Sequence, residues 1–246
     1  MENKKLWLGM LVMVLVFGMT AVGCGNGGGT TSASHFTFDR ERGTITGYSE
    51  KGPKDVKIPE KIKGTPVTAI GERAFFNKNL TSVTIPDSVT SIGETAFYAN
   101  QLTSVTIGNS VTKIEQSAFE ENQLASVTIP DSVTKISYHA FASNQLTSVT
   151  IPDSVTEIGQ GAFYSNQLTS VTIGNGVTTI RESAFWQNQL TSVTIGANVR
   201  LWPDYSFGGR EGVGPFGNGL DQAYDNGKQA GTYTRPDVNS RNWTKQ

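Results

Sequence analysis

Residues 80–101 read LTSVTIPDSVTSIGETAFYANQ, and the same 22-residue block begins again at Leu102, Leu124, Leu146, Leu168 and Leu190. A period of this length marks a solenoid, in which each unit is too small to bury its own apolar face. It gains a core only by stacking on its neighbours. The repeat therefore predicts one elongated scaffold, with any function carried on its faces.

Numbering the block from 1 to 22, Leu80, Val83 and Ile85 at positions 1, 4 and 6 form a short β-branched strand. Position 7 is Pro or Gly and position 8 is usually Asp or Asn, as in Pro86-Asp87, Gly108-Asn109, Pro130-Asp131 and Pro152-Asp153, which ends the strand in a turn. Val89, Ile92, Ala96 and Phe97 follow at spacings of three, four and one, which predicts a helical turn or 3-10 arc packed inward. Phe97, Phe119, Phe141, Phe163 and Phe185 are expected to stack as a spine. Asn100, Asn122, Asn144, Asn166 and Asn188 recur at the closing turn, and a half-buried amide there reads as a hydrogen-bonded ladder to the next coil, with a ligand site as the alternative.

The N-terminus supplies an address. Lys4 and Lys5 precede the apolar run 6–17, and Ala21-Val22-Gly23-Cys24 follows, the order of a secretory signal. Cys24 is the one cysteine of the chain, and its setting resembles a bacterial lipobox, which implies acylation of that thiol and attachment to a membrane. Gly25–Ser34 has the composition of a flexible tether. Without residues 1–23 the formal charge moves from −1 to −2, since Lys4, Lys5 and Glu2 leave together. No basic stripe is present to track phosphates, which argues against nucleic acid as a partner.

The pattern LxxVxIPxxVxxIxxxAFxxNQ resembles the BspA-type leucine-rich repeat, also called the Treponema pallidum type, and is similar to surface lipoproteins of spirochaetes. Residues 80–189 hold five clean copies, preceded by a degenerate copy (Val56, Ile58, Pro59, an insertion around Gly64, then Val67, Ile70, Ala74 and Phe75). A sixth block decays after Ile195, with Val199, Trp202 and Phe207 at positions 10, 13 and 18. The resemblance implies an α/β-type solenoid, each coil a parallel strand plus a short helical or 3-10 arc, closed by N- and C-terminal caps. Phe36–Tyr48, turning around Arg40–Gly43, looks like the N-terminal cap, and Ala223-Tyr224, Gly231–Thr234 and Trp243 look like spirochaete C-terminal segments. The expected organisation is signal 1–23, tether 24–35, cap hairpin 36–55, repeats 56–207 and C-terminal cap or tail 208–246. At strand spacing, seven coils extend roughly 30 Å.

Catalytic chemistry finds little footing. Of two histidines, His35 lies beside the tether, and His139 sits at position 16, where other copies have Thr95, Ser117, Gly161 and Ser183, which predicts a solvated side chain rather than a general base. No His/Cys cluster or calcium-loop spacing is evident, so neither cofactor nor metal is expected. Asp87, Asp131 and Asp153 read as turn residues, with a shared cation the lesser alternative. The segment Gly208–Gly212 reads as a loop.

Binding surface is the better prospect. Positions 3 and 5 point outward and are Ser and Thr in every copy, so Thr84, Thr106, Thr128, Thr150 and Thr172 predict a flat hydroxyl lattice suited to an extended protein or a glycan, or to solubility alone. Variation concentrates at position 19, where Tyr98, Tyr164 and Trp186 are candidate anchors, or else rings packed on the next coil. Two functions remain. One is a non-catalytic, membrane-anchored binding protein at the outer membrane or cell surface, with extracellular-matrix proteins or other cells as partners. The other is a periplasmic or envelope scaffold lipoprotein.

Overall fold

The computed structural model describes residues 29–201, 220, 224, 229–240 and 242–246. The signal segment, Cys24, the first part of the tether, Trp202, Phe207 and the loop Gly208–Gly212 lie outside the described residues.

Each coil lays down two short parallel strands. In the first row Ser82–Thr84 pairs with Ser104–Thr106, and Ser148–Ile151 with Ser170–Ile173 and then Ser192–Ile195, always like residue beside like residue. In the second row the two-residue strands Ser91–Ile92, Lys113–Ile114, Lys135–Ile136, Glu157–Ile158 and Thr179–Ile180 form an unbroken ladder. Identical repeats stack in identical register, so one apolar pattern fills one continuous core. Positions 1, 6, 10, 13, 17 and 18 are buried in each of the five clean copies. The rings of Phe75, Phe97, Phe119, Phe141, Phe163 and Phe185 stack at 4.8–5.5 Å with planes within 13°. That offset-parallel contact adds to the burial of each ring.

The expected α/β-type coil with a helical or 3-10 arc is corrected: the chain is a β-solenoid of about seven coils, and among the described residues the arcs carry no helix. Backbone conformation explains why. Thr95, Ser117, His139 and Ser183 at position 16, with φ of 51–55°, and Ala99, Glu121, Ser143, Ser165 and Gln187 at position 20, with φ of 52–55°, are left-handed, as is Gly161 at φ 60°. A left-handed residue every fourth position breaks any helix. Alternate amides also leave the coil: Ala96 N–H and Tyr98 N–H bond locally to Gly93 and Thr95 carbonyls, while those of Thr95, Phe97 and Ala99 donate to Gln116, Ala118 and Glu120 of the next coil. A helix would need all of them locally.

The asparagines join this scheme. Asn144 is 7% exposed; its Oδ1 accepts Leu124 N–H at 3.0 Å, and its Nδ2 donates to the carbonyls of Phe119 at 2.9 Å, Phe141 at 3.3 Å and Ala142 at 3.1 Å. Asn100, Asn122, Asn166 and Asn188 repeat the pattern. Each amide closes its own coil and ties it to the preceding one, rather than to the following one as the sequence reading expected.

Both ends differ from the repeat. Phe36–Asp39 and Thr44–Tyr48 form an antiparallel hairpin whose second strand pairs in parallel with Ala69–Ile70. Tyr48 and Phe36 set their rings 5.1 and 6.2 Å from Phe75, covering the open end of the stack. The insertion in the first coil is a small hairpin, Lys61–Ile62 with Thr65–Pro66, turned by the left-handed pair Lys63 and Gly64 at φ 49° and 83°. At the other end Gly231–Thr234 runs antiparallel on Ser192–Ile195, and Thr244–Lys245 pairs on it in turn. The buried Arg235 donates through Nε to Leu190 O at 2.6 Å and lies 5.0 Å over the Trp243 ring; burial pulls its guanidinium down to about 10. In the last rung of the second row Ile180 pairs with Leu201, so the residue in the isoleucine slot is one place before the expected Trp202.

The first strand row lapses once, over residues 126–129. Position 2 there is Ala125, whereas Thr81, Thr103, Thr169 and Thr191 each donate a hydroxyl to the preceding coil's carbonyl at 3.3–3.4 Å. Pro130 and Pro152 also stand in succession, so two adjacent coils lack the amide at position 7. The lapse leaves Val105 and Val127 only partly buried.

Asn144→Ala is expected to destabilise the chain by about 2–5 kcal/mol, because a buried amide and several buried carbonyls lose their partner, while Gln145→Ala on the exposed neighbour leaves the urea midpoint in place. Ala125→Thr is expected to raise stability by about 0.5–1 kcal/mol through the restored hydroxyl bond; an unchanged midpoint would assign the lapse to the prolines alone.

Candidate functional site

Two surfaces gather the side chains that sequence reasoning selected. On the strand face Thr84, Thr106, Thr128, Thr150 and Thr172 are all exposed. Strand pairing puts Thr84 beside Thr106 and Thr150 beside Thr172, while Thr128 falls in the lapsed segment. None of the five hydroxyls is bonded within the described protein. The lattice ends at Thr194, whose hydroxyl meets that of Thr232 at 2.9 Å under the C-terminal strand. Asp87 and Asp153, at the strand ends, accept the Asn109 and Asn175 amides at 2.7 Å, so these carboxylates brace the turn of the next coil.

The second surface is the edge made by positions 15, 16 and 19. The rings at positions 16 and 19 are half-buried and meet one another along the solenoid. Tyr98 lies 5.7 Å from Phe76 with planes 7° apart, and Arg73 sits 4.1 Å over Phe76. Tyr164 stacks on His139 at 5.9 Å and meets Trp186 at 5.6 Å. Tyr98 and Trp186 each lean on a ring of the preceding coil, whereas Tyr164 is flanked by His139 on one side and Trp186 on the other. The Tyr98 hydroxyl donates to Glu121 Oε1 at 2.7 Å; that bond, with burial and the charges of Glu121 and Glu120, pushes the phenol up to about 12.

Between the two aromatic groups, position 19 is filled by Glu120 and by the buried Ala142. His139 covers the gap: its Nδ1 lies 3.0 Å from Glu120 Oε1 and its ring stacks on Tyr138 at 4.0 Å. The side chain is 24% exposed, so the solvated histidine expected from sequence is corrected to a half-buried, paired one. Its ring occupies the space that a Cβ at Gly161 would need, which, with the left-handed backbone there, accounts for glycine at that position. Burial pushes the Glu120 carboxyl up, but the bonds from His139 and Ser117 and the charge of His139 outweigh it and hold the group below the ordinary carboxylate range. Sequence reasoning missed Tyr138, which at 41% is the most exposed large apolar side chain among the described residues. The available signal was that position 15, elsewhere Glu or Gln, and position 16, elsewhere Thr, Ser or Gly, both become aromatic at Tyr138-His139 alone among the five clean copies.

The arrangement offers hydrogen-bond donors and acceptors, ring edges and carboxylates over a long surface. Among the described residues no group of three or more His, Cys, Asp and Glu side chains is placed to hold a metal ion.

The BspA type leucine rich repeat region matches this chain in six copies, over residues 48–167 and 90–213. The leucine rich repeat protein of T. pallidum is 30% identical over 65% of this chain and 78% of its own, with a TM-score of 0.59. A leucine-rich repeat protein of Bacteroides ovatus is 24% identical over 77% of this chain and 62% of its own, at a TM-score of 0.50, and shares the fold. No curated protein matches.

Glu120 is expected to contribute an acid-sensitive share of stability. Its folded value is depressed, so the contribution is complete above the unfolded value and lost as pH falls through the folded one. The Tm difference between the wild type and Glu120→Gln should therefore narrow from about pH 5 to about pH 3; a gap of constant width would show that the pairing with His139 adds nothing.

Proposed function

Because this chain belongs to the BspA-type leucine-rich repeat family, we propose that it is a lipid-anchored surface protein that binds other proteins through the strand face and the aromatic edge of its solenoid. Leucine-rich repeat solenoids are generally non-catalytic interaction scaffolds, and the family suggests a protein-binding role. The observation that carries the reading is the row of exposed threonine hydroxyls that bond to no described residue. A repeated line of unspent donors and acceptors, uncharged and cheap to desolvate one by one, suits the backbone of an extended partner. The rings of Tyr98, Tyr164 and Trp186 with the exposed Tyr138 supply the apolar anchors that hydroxyls lack. Acylation of Cys24 would hold the array at the outer membrane or cell surface, where matrix proteins or other cells are within reach.

Protease shaving of intact cells tests the address: loss of the array while a periplasmic control survives is expected, and protection would leave an envelope scaffold instead. Binding is tested on immobilised collagen and fibronectin. Thr106→Lys, Thr150→Lys and Thr172→Lys together are expected to abolish capture at a stability change within about 0.5 kcal/mol per site, since each position is exposed. Capture at wild-type level by the triple variant would exclude the strand face.

A further inference from the structure

Charge is distributed unevenly along the solenoid. Residues 36–79 carry nine Lys and Arg against six Asp and Glu, a net +3, whereas residues 80–201 carry four against nine, a net −5. The cationic end is the one at which the chain arrives from Cys24. Thr31 is tied to the first strand of that end, its N–H donating to Lys57 O at 2.8 Å and its hydroxyl accepting Lys57 N–H at 2.9 Å. Six residues lie between Cys24 and Thr31, and the seven steps from one to the other span at most about 25 Å. An acyl chain on Cys24 would therefore keep this end of the solenoid within about 25 Å of the bilayer.

That end holds a groove of about 350 Å³ between the N-terminal hairpin and the inserted hairpin of the first coil. The buried Phe36 and Ile62 and the half-buried Phe38 line its floor, and Arg40 and Lys63 stand at its sides. Both cations are exposed, and neither makes a hydrogen bond or ion pair with another described residue. The nearby Arg42, by contrast, pairs with Asp39 at 3.8 Å. The inserted hairpin is what brings Lys63 here, at the tip of a turn that the other coils lack. Two exposed cations beside one half-buried ring are complementary to an anionic headgroup.

We propose that this end of the solenoid is a membrane-contact surface, in which Arg40 and Lys63 bind anionic phospholipid headgroups and the half-buried Phe38 beside them faces the headgroup layer. The inference rests on the anchored reading of Cys24 for its geometry, and it adds a second, electrostatic contact to the lipid one. Such pairing of signals gives firm attachment where one alone is marginal. The acidic array is repelled by the same surface, so the solenoid is held end-on, with its strand face and aromatic edge away from the lipid.

The test uses the unlipidated chain of residues 24–246, which keeps every residue the structure describes, in co-sedimentation with vesicles of phosphatidylglycerol or phosphatidylcholine. Binding to phosphatidylglycerol is expected, weakening as salt is raised, with little binding to phosphatidylcholine. Arg40→Glu with Lys63→Glu should lower it at least roughly ten-fold, whereas Lys135→Glu in the array should not. Thermal melts of both variants are expected to match the wild type. No binding, equal binding to both lipids, or phosphatidylglycerol binding that survives the double reversal would overturn the proposal. Labelling of the full chain in cells with radioactive palmitate, compared with Cys24→Ser, reports on the anchor separately: missing label with intact vesicle binding sinks the anchor and keeps the lipid contact.

Discussion

The buried asparagine amide at the end of each coil is the constraint on which the solenoid depends. A coil must return to its starting side, and the return leaves backbone N–H and C=O groups facing inward, away from water. One primary amide answers several of them together, accepting from the leucine that opens its coil and donating to the phenylalanine carbonyls of two coils. No apolar residue can do this, and an aspartate could not donate. With the joint satisfied, the 22-residue register is fixed, and leucine, valine, isoleucine and phenylalanine then fall on their own counterparts in the next coil.

From that register come the other features of the fold. The phenylalanines stack nearly parallel because each ring sits on the same ring one coil away, at the spacing that strand pairing imposes. Left-handed residues at positions 16 and 20 are tolerated for the same reason: each frees an amide to bond across coils, so local strain is offset by a bond that would otherwise be absent. The lapse over residues 126–129 marks how little is needed to loosen the scheme, namely one missing threonine hydroxyl and two prolines on successive coils. The second strand row carries the stack through that point without interruption.

Function then falls to what the core leaves over. The strand face presents five threonine hydroxyls with no partner among the described residues, the edge presents rings and carboxylates bonded mainly to one another, and the first coil with its hairpin presents cations. The edge is the more individual surface, since Glu120, His139 and the tyrosines belong to single coils. The strand face is the more extensive one. A long partner engaging both would meet generic hydrogen bonding along its length and particular contacts at few places, a division that suits a scaffold whose repeats are nearly identical.

Sequence by itself determined the solenoid, its period, the inward positions, the phenylalanine stack and the outward threonines, because a periodic core forces every coil to obey the same spacing. It placed Tyr98, Tyr164 and Trp186 on one edge for the same reason. Only the tertiary structure decided that the arcs are turns and short strands: spacings of three and four residues suit a helical turn and a pair of tight turns alike, and the choice rests on amides that bond to another coil. It also decided the state of His139, which depends on Glu120 one coil below and Gly161 one coil above, neighbours 19 and 22 residues distant in the chain. The one-place shift at Leu201 and the lapse in the fourth coil are likewise settled by contacts between coils, where a local pattern carries no information.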